Sequence, residues 1–332
     1  MIDLRLGDCL DVMRTLPDNS IDAVVTDPPY YNVKSEHWDR QWGTPQKFLD
    51  WLDTVAAEWQ RILKPNGSLY CFASPRMSAR VEVMLGARFN VLNRIRWIKE
   101  AGWHNKTDKE QLRTFLSPYE EIIFCEHYGA DNIAKGEAGY AAKCDELRGF
   151  IFEPLRKYLS DEWNRAGLKY EQANEACGTA SMAGRHFFSV SQWCLPTKEH
   201  YLKLREYAHT HNHGGEYLRR DYEDLRRDYE DLRRPFAVTK DVPYTDVWTF
   251  ETVAHYPGKH PCEKPQKLLQ HIIRTSTREG ATVLDCFAGT GNTGLAAFQL
   301  GRNAILIERE ADYLAIAQRR IEAAQAQMQM EI

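Results

Sequence analysis

The sequence predicts an α/β protein built on a doubly wound, mostly parallel sheet, interrupted by a largely helical insertion. Three observations carry this. Strand and helix patterns alternate over residues 1–126 and again from residue 265. Asp27-Pro28-Pro29-Tyr30 and Asp285-Cys286-Phe287-Ala288-Gly289-Thr290-Gly291-Asn292-Thr293-Gly294 each close an apolar run, Ile21–Thr26 and Thr282–Asp285. Between about 130 and 250 the alternation stops and a polar, His- and Arg-rich helical stretch takes over.

Each element has its own signal. Asp3–Gly7 reads as a short strand, Asp8–Leu16 as a helix and Ile21–Thr26 as a buried strand. Residues 31–44, holding Trp38 and Trp42, read as a loop. Pro45–Leu63 carries Phe48, Leu49, Leu52, Val55, Ala56, Trp59, Ile62 and Leu63 on one helical stripe, and Pro65-Asn66-Gly67 ends it before a strand at Ser68–Ala73. Strands are predicted through Phe89–Lys99 and Tyr119–Glu126. After the insertion come a helix at Pro265–Thr277, a strand at Thr282–Asp285, a helix at Asn292–Leu300, a strand at Asn303–Ile307 and a last helix from Glu310. The predicted division is 1–130, 131–250 and 251–332.

At 332 residues with 43% hydrophobic content, the chain can bury a sizeable core. No run reaches the roughly 18–20 apolar residues of a membrane span, and Met1-Ile2-Asp3-Leu4-Arg5 lacks the layout of a signal peptide. Eight cysteines without a Cys-x-x-Cys pair fit reduced thiols, so a cytoplasmic protein without a metal centre is expected. A net charge of −4 argues against a globally basic nucleic-acid binder, although Arg94, Arg96, Lys99, Lys106, Lys109 and Arg113 form a local basic patch. His209-x-His211-x-His213 reads as a loop rather than a metal site.

The insertion has its own pattern. Ile151, Leu155, Tyr158, Leu159 and Trp163 make an amphipathic helix that stops at Gly167. A second short helix, Tyr170–Cys177, is followed by Gly178 and then by Thr179–Phe187. Short helices about a glycine turn suit either a helix-turn-helix, in which Ser181, Arg185 and His186 reach base edges, or a plain helical subdomain. A seven-residue repeat, Arg219–Leu225 and then Arg226–Leu232, puts Leu218, Tyr222, Leu225, Tyr229 and Leu232 at heptad spacing. That seam fits a helix laid on its own domain, a dimer contact or a helix along DNA.

A strand ending in an acid, then Phe-x-Gly-x-Gly, then a helix, is suited to a nucleotide-like ligand, because glycines let the backbone approach it closely. Glu308 ends the next strand, where a carboxylate can accept ribose hydroxyls. A carboxylate at Asp285 suits a ligand bearing positive charge better than a diphosphate.

With these residues in this order, the chain resembles the permuted amino-group DNA methyltransferases, in which the catalytic motif precedes the cofactor motif. The resemblance covers residues 1–130 and 250–325 and only the position of the insertion. It implies the methyltransferase fold, S-adenosylmethionine as cofactor, double-stranded DNA as partner, and target recognition by the insertion. It also implies a bacterial or phage origin, and with the heptad seam it makes a homodimer plausible. Asp27, Pro28, Pro29 and Tyr30 take the catalytic positions. The cofactor positions are Asp8, Cys9, Asp27, Lys264, Pro265, Asp285, Phe287, Ala288, Gly289, Thr290, Gly291, Asn292, Thr293 and Glu308. By the resemblance, Asp285 faces the methionine end and the segment at Asp8 holds the adenine. Two acceptors, the Asp27 carboxylate and the Pro28 carbonyl, would draw the amino hydrogens of a flipped base out of plane. A leading Asp points to adenine N6; cytosine N4, RNA or protein-glutamine methylation, and an inactive DNA-binding regulator are the rival readings.

Overall fold

The computed structural model describes the chain apart from residues 34–38, 100–109, 111, 131–139, 148, 191, 212–214, 239–243, 255–261 and 331–332. Along the first part run β1 (Ile2–Leu6), α1 (Cys9–Met13), β2 (Ile21–Thr26), α2 (Pro45–Ile62), β3 (Leu63–Ala73), α3 (Ser78–Leu85), β4 (Asn90–Lys99) and β5 (Tyr119–Glu126). The middle is helical: α4 (Tyr140–Leu147), α5 (Glu153–Arg165), α6 (Gln172–Cys177), α7 (Met182–His186), α8 (Lys198–His211) and α9 (Tyr222–Leu232). The last part holds β6 (Val247–Phe250), α10 (Gln266–Ser276), β7 (Thr282–Asp285), α11 (Asn292–Gln299), β8 (Asn303–Glu308) and α12 (Ala311–Met330). Met1–His127 and Pro235–Ile332 form one compact unit, and Tyr128–Arg234 a second. Of the interval expected as an insertion, the stretch from Pro235 thus groups with the sheet, because β6 pairs parallel with β4.

The sheet runs β1-β8-β7-β2-β3-β5-β4-β6. β1, β8, β7, β2 and β3 are mutually parallel, and β5 is antiparallel to both of its neighbours. Successive strand residues face opposite sides. On β2 and β7, Val24 and Leu284 pack towards α1, α2 and α3, while Ala23, Val25 and Val283 pack towards α10, α11 and α12. Both faces are covered, which is why these strands read as continuous apolar runs.

β2 and β7 pair in register, Ala23 with Val283 and Val24 with Leu284. From this pair the chain leaves β2 towards β3 and leaves β7 towards β8, in opposite directions along the sheet. Such a reversal opens a crevice beyond the strands' carboxyl ends. The two motifs leave the sheet at that point. The expected break at Pro65-Asn66-Gly67 lies within β3 as an irregularity: pairing jumps from Ile21–Leu63 to Ala23–Ser68.

Within the second unit, α5 to α9 share a core of Phe152, Leu155, Trp163, Trp193, Tyr201 and Leu225. Gly178 closes α6 in the left-handed region at φ 67°. A Cβ at Gly184 would lie 2.6 Å from the Tyr170 carbonyl oxygen, so only glycine lets α7 seat this closely. The heptad seam is spent inside this unit: Leu225 is fully buried, and Tyr222, Tyr229 and Leu232 pack on the same core. Leu218 lies outside α9, at φ 49°. His209 and His211 form the last turn of α8 rather than a loop; His213 lies outside the described residues.

Candidate active site

A cleft of about 1020 Å³, its open mouth included, lies over the β2–β7 switch. Asp8, Cys9, Asp27, Pro28, Pro29, Tyr30, Phe287, Gly289 and Glu308 line it, from both ends of the chain. Trp42 and Trp51 form an aromatic wall with Phe287: the Trp42–Trp51 centroids lie 4.8 Å apart and the Trp51–Phe287 centroids 5.8 Å apart. A smaller inner pocket, sharing Asp27, Phe287 and Gly289 with the cleft, is lined also by Lys264, Asp285, Ala288, Thr290, Asn292 and Thr293. Pro265 starts α10 and lines neither of these pockets.

The glycine loop is held by backbone. The Gly289 N–H donates to Glu308 Oε2 at 2.7 Å, and the Glu310 N–H donates to Glu308 Oε1 at 2.9 Å. Gly291 has φ 81°, and a Cβ there would sit 2.7 Å from the Ala317 Cβ. Asp8 caps α1, accepting the Leu10 N–H at 2.9 Å. Asn292 ties α11 to the segment before α10 by donating to Glu263 Oε1 and to the Lys264 carbonyl.

The two acids at the switch point differ. Asp285 is 4% exposed, and both its oxygens accept hydrogen bonds: Oδ1 from Thr26 Oγ1 (2.9 Å) and the Phe287 N–H (3.1 Å), Oδ2 from Thr293 Oγ1 (2.6 Å). Burial pushes its carboxyl up to about 6, against the pull of those donors. Asp27 accepts the Lys264 ammonium on Oδ2 at 2.5 Å, whereas among the described residues no donor lies within hydrogen-bond geometry of its buried Oδ1, the Tyr30 hydroxyl acting on the carboxylate only as a weaker, electrostatic neighbour. Burial raises the Asp27 carboxyl as well, opposed by Lys264 and the Tyr30 hydroxyl and reinforced by the like charge of Glu120. A buried acceptor without a donor costs free energy unless a ligand supplies one.

Glu120, which the sequence did not single out, completes this cluster. Its Oε2 accepts Tyr30 Oη and Lys264 Nζ, both at 3.1 Å, and Lys99 pairs with Oε1. Burial alone would raise the Glu120 carboxyl, but Lys264 and Lys99 hold it at about 2. Part of the expected basic patch is spent in the same way, while Arg113 is exposed and donates to the Glu110 and Leu112 carbonyls. Arg94 pairs with Glu82 and Glu121, Arg96 with Glu121 and Lys99 with Glu120; Lys106 and Lys109 lie outside the described residues.

In the second unit, Ser181 is exposed just before α7, Arg185 is exposed on it and His186 is half-buried. Among the described residues, no group of three His, Cys, Asp or Glu could hold a metal ion. Among the same residues, no helix is long and apolar enough to cross a membrane.

A DNA methylase family model matches residues 21–319. The Type II methyltransferase M2.DpnII of Streptococcus pneumoniae is 49% identical over 81 residues, which are 24% of this chain and 30% of that protein. The DNA adenine methyltransferase YhdJ of Escherichia coli K12 is 24% identical over 324 residues, covering 96% of this chain and 82% of that protein. Among solved structures, the M1.HpyAVI–SAM complex covers 97% of this chain and 99% of its own (TM-score 0.53, 18% identity). The cytosine-N4-specific PvuII DNA methyltransferase covers 96% and 86% (TM-score 0.54, 15% identity). At these identities the two structures share the fold.

Proposed function

The chain belongs to the DNA methylase family, and from that premise we propose that it transfers a methyl group from S-adenosylmethionine to the N6 amino group of an adenine flipped out of double-stranded DNA. The observation that carries this reading is Oδ1 of Asp27, without a hydrogen-bond donor among the described residues and buried where the tetrapeptide meets the glycine loop.

An exocyclic amino group is a poor nucleophile because its lone pair is delocalised into the ring. Asp27 Oδ1 and the Pro28 carbonyl would each accept one amino hydrogen, localising the lone pair towards the methyl donor. The two prolines stiffen the backbone, so the acceptors are fixed in advance. Tyr30 offers its ring to the flipped base, offsetting part of an unstacking cost of a few kcal/mol. Its hydroxyl, donated to Glu120, keeps that ring from turning away. S-adenosylmethionine supplies a methyl group activated by a positively charged sulfur. The amine that gains the methyl must shed one proton, for which the Asp27 carboxylate would be the acceptor.

The residues fit this cofactor. Trp42, Trp51 and Phe287 give an apolar wall, while Asp8, Asp27 and Glu308 bring carboxylates suited to a cation, with Glu310 paired to Arg309. Glu308 would take the ribose hydroxyls, and the Asp8–Cys9 turn the adenine. Around the inner pocket, Ala288, Thr290, Asn292 and Thr293 shape the loop about the Gly291 turn, with Lys264 closing it from the segment before α10, where Pro265 caps the helix. Asp285, fully hydrogen-bonded, sets the loop's geometry from beneath. Target recognition would fall to the second unit, with Ser181, Arg185 and His186 as base-edge candidates at α7. A modification enzyme of a bacterial or phage restriction system fits the Type II relative.

Adenine is favoured by the aspartate that leads the tetrapeptide and by the relative named as an adenine methyltransferase. Cytosine N4 is the second reading, because a cytosine-N4 enzyme shares the fold. The test is mass spectrometry of nucleosides from unmethylated DNA incubated with protein and cofactor. N6-methyladenine is expected; N4-methylcytosine would transfer the whole mechanism to the other base.

A further inference from the structure

We propose that Glu120 is a positioning residue for methyl transfer, holding Lys264 and Tyr30 so that Asp27 keeps one oxygen bound and the other open to the target amino group. This deepens the reading above and rests on it. Glu120 lines neither the cleft nor the inner pocket, so it acts through its neighbours.

Topology puts it there. β5 is the strand antiparallel to β3, so its first residues return to the carboxyl edge from which β2 and β7 deliver the two motifs. Glu121 pairs with Ala73, the last residue of β3, which sets Glu120 at that edge, next to the motif it serves.

The Lys264 ammonium has three hydrogens. It faces Asp27 Oδ2 at 2.5 Å, Glu120 Oε2 at 3.1 Å, the Cys262 carbonyl at 3.3 Å and the Tyr30 hydroxyl at 3.4 Å. It also lies 5.3 Å from the Tyr30 ring centroid and 5.1 Å from that of Phe72. Lys99 anchors the far oxygen of Glu120. The cluster therefore has two ammonium groups and two carboxylates, linked in the order Lys99, Glu120, Lys264, Asp27.

Remove the Glu120 charge and Lys264 keeps Asp27 as its one carboxylate partner among these contacts. The ammonium would then be drawn over both Asp27 oxygens, occupying the acceptor that the amino group needs. The Tyr30 hydroxyl would lose its anionic acceptor in the same step. Glu120 thus sets how Asp27 is used without touching substrate.

The experiment compares the parent with Glu120→Gln, Lys264→Met and the double variant. It measures turnover on DNA, cofactor affinity by calorimetry and thermal midpoint. Glu120→Gln is expected to lower kcat about 10- to 100-fold, with cofactor Kd within about twofold and an unchanged thermal midpoint. In the Lys264→Met background the same substitution is expected to cost far less, since the residue it acts through is gone. Turnover of Glu120→Gln within about threefold of the parent, or losses that simply multiply in the double variant, would overturn the proposal. So would a loss of kcat that tracks a fall in thermal midpoint.

A second readout does not depend on methylation. The groups facing Lys264 are Asp27, Tyr30, Glu120 and Cys262, with Lys99 behind Glu120. Followed by NMR of the labelled side chain, the Lys264 titration midpoint should fall in Glu120→Gln, because one of its two carboxylate partners is gone. An unmoved midpoint would overturn the role of Glu120. Absence of methylated nucleosides with the parent protein would instead overturn the proposed function, and the Lys264 titration would still decide this inference.

Discussion

Asp27 and Asp285 stand at the ends of adjacent strands, yet their oxygens are used differently. Asp285 spends both on Thr26, Thr293 and the Phe287 N–H, joining β2, β7 and α11. Asp27 leaves one without a hydrogen-bond donor among the described residues. From sequence the two were equivalent in kind, each an acid closing an apolar run; which of them has a spare acceptor depends on threonines that only the fold brings within reach. Glu120 was equally hidden, because Tyr30 and Lys264 lie 90 and 144 positions away from it along the chain (120 − 30 and 264 − 120). The contrast gives a prediction at this scale. Asp285→Ala takes the acceptor from the buried Thr293 hydroxyl and the Phe287 N–H and leaves Thr26 Oγ1 with the Cys286 thiol, and should lower stability by about 2–5 kcal/mol, read as a shift in urea midpoint. Asp27→Ala should shift that midpoint less.

Among the elements, those buried on both faces were the most legible. β2 and β7 fall where the apolar runs put them, since a strand covered on two sides reads as a nearly continuous apolar run, and β5 follows its central Ile122–Cys125 run. β6 was not legible: it is a four-residue edge strand in which Trp248 alone is buried, so its residues carry no period to read. The seam at residues 218–232 was visible as a pattern, but the surface it meets could not be read from its spacing; the fold turns it onto Phe152, Trp193 and Tyr201. Leu225→Ala should therefore destabilise the second unit by about 2–5 kcal/mol through the cavity it leaves, which chemical denaturation would detect. α10 carries a further consequence. His271 packs edge-on against Trp248 at 4.5 Å, and burial, with Arg274 nearby, lowers its pKa from 6.5 to about 4. Between those values the unfolded chain takes up a proton that the folded chain refuses. The His271 contribution is thus whole above pH 6.5 and is lost as pH falls towards 4. Melting curves of the parent should fall across that window, and His271→Leu should remove part of the slope.

At the scale of the molecule, the site exists because the sheet reverses direction between β2 and β7. Two motifs more than two hundred residues apart meet there, one carrying the acceptors and the other the glycine loop. An antiparallel β5 then returns Glu120 to the same edge. The pairing of motifs was readable from their placement at strand ends; the electrostatic cluster that joins them was not, because its members lie on four separate segments. The central claim is that the open oxygen of Asp27 is what the target amino group uses. The direct measurement is single-turnover methyl transfer by Asp27→Asn at saturating cofactor and DNA. The account predicts a rate at least about 1000-fold below the parent, with cofactor Kd changed by no more than about threefold. A rate within about tenfold of the parent would contradict it, because an amide that presents its NH₂ or is held by other contacts could not replace the carboxylate.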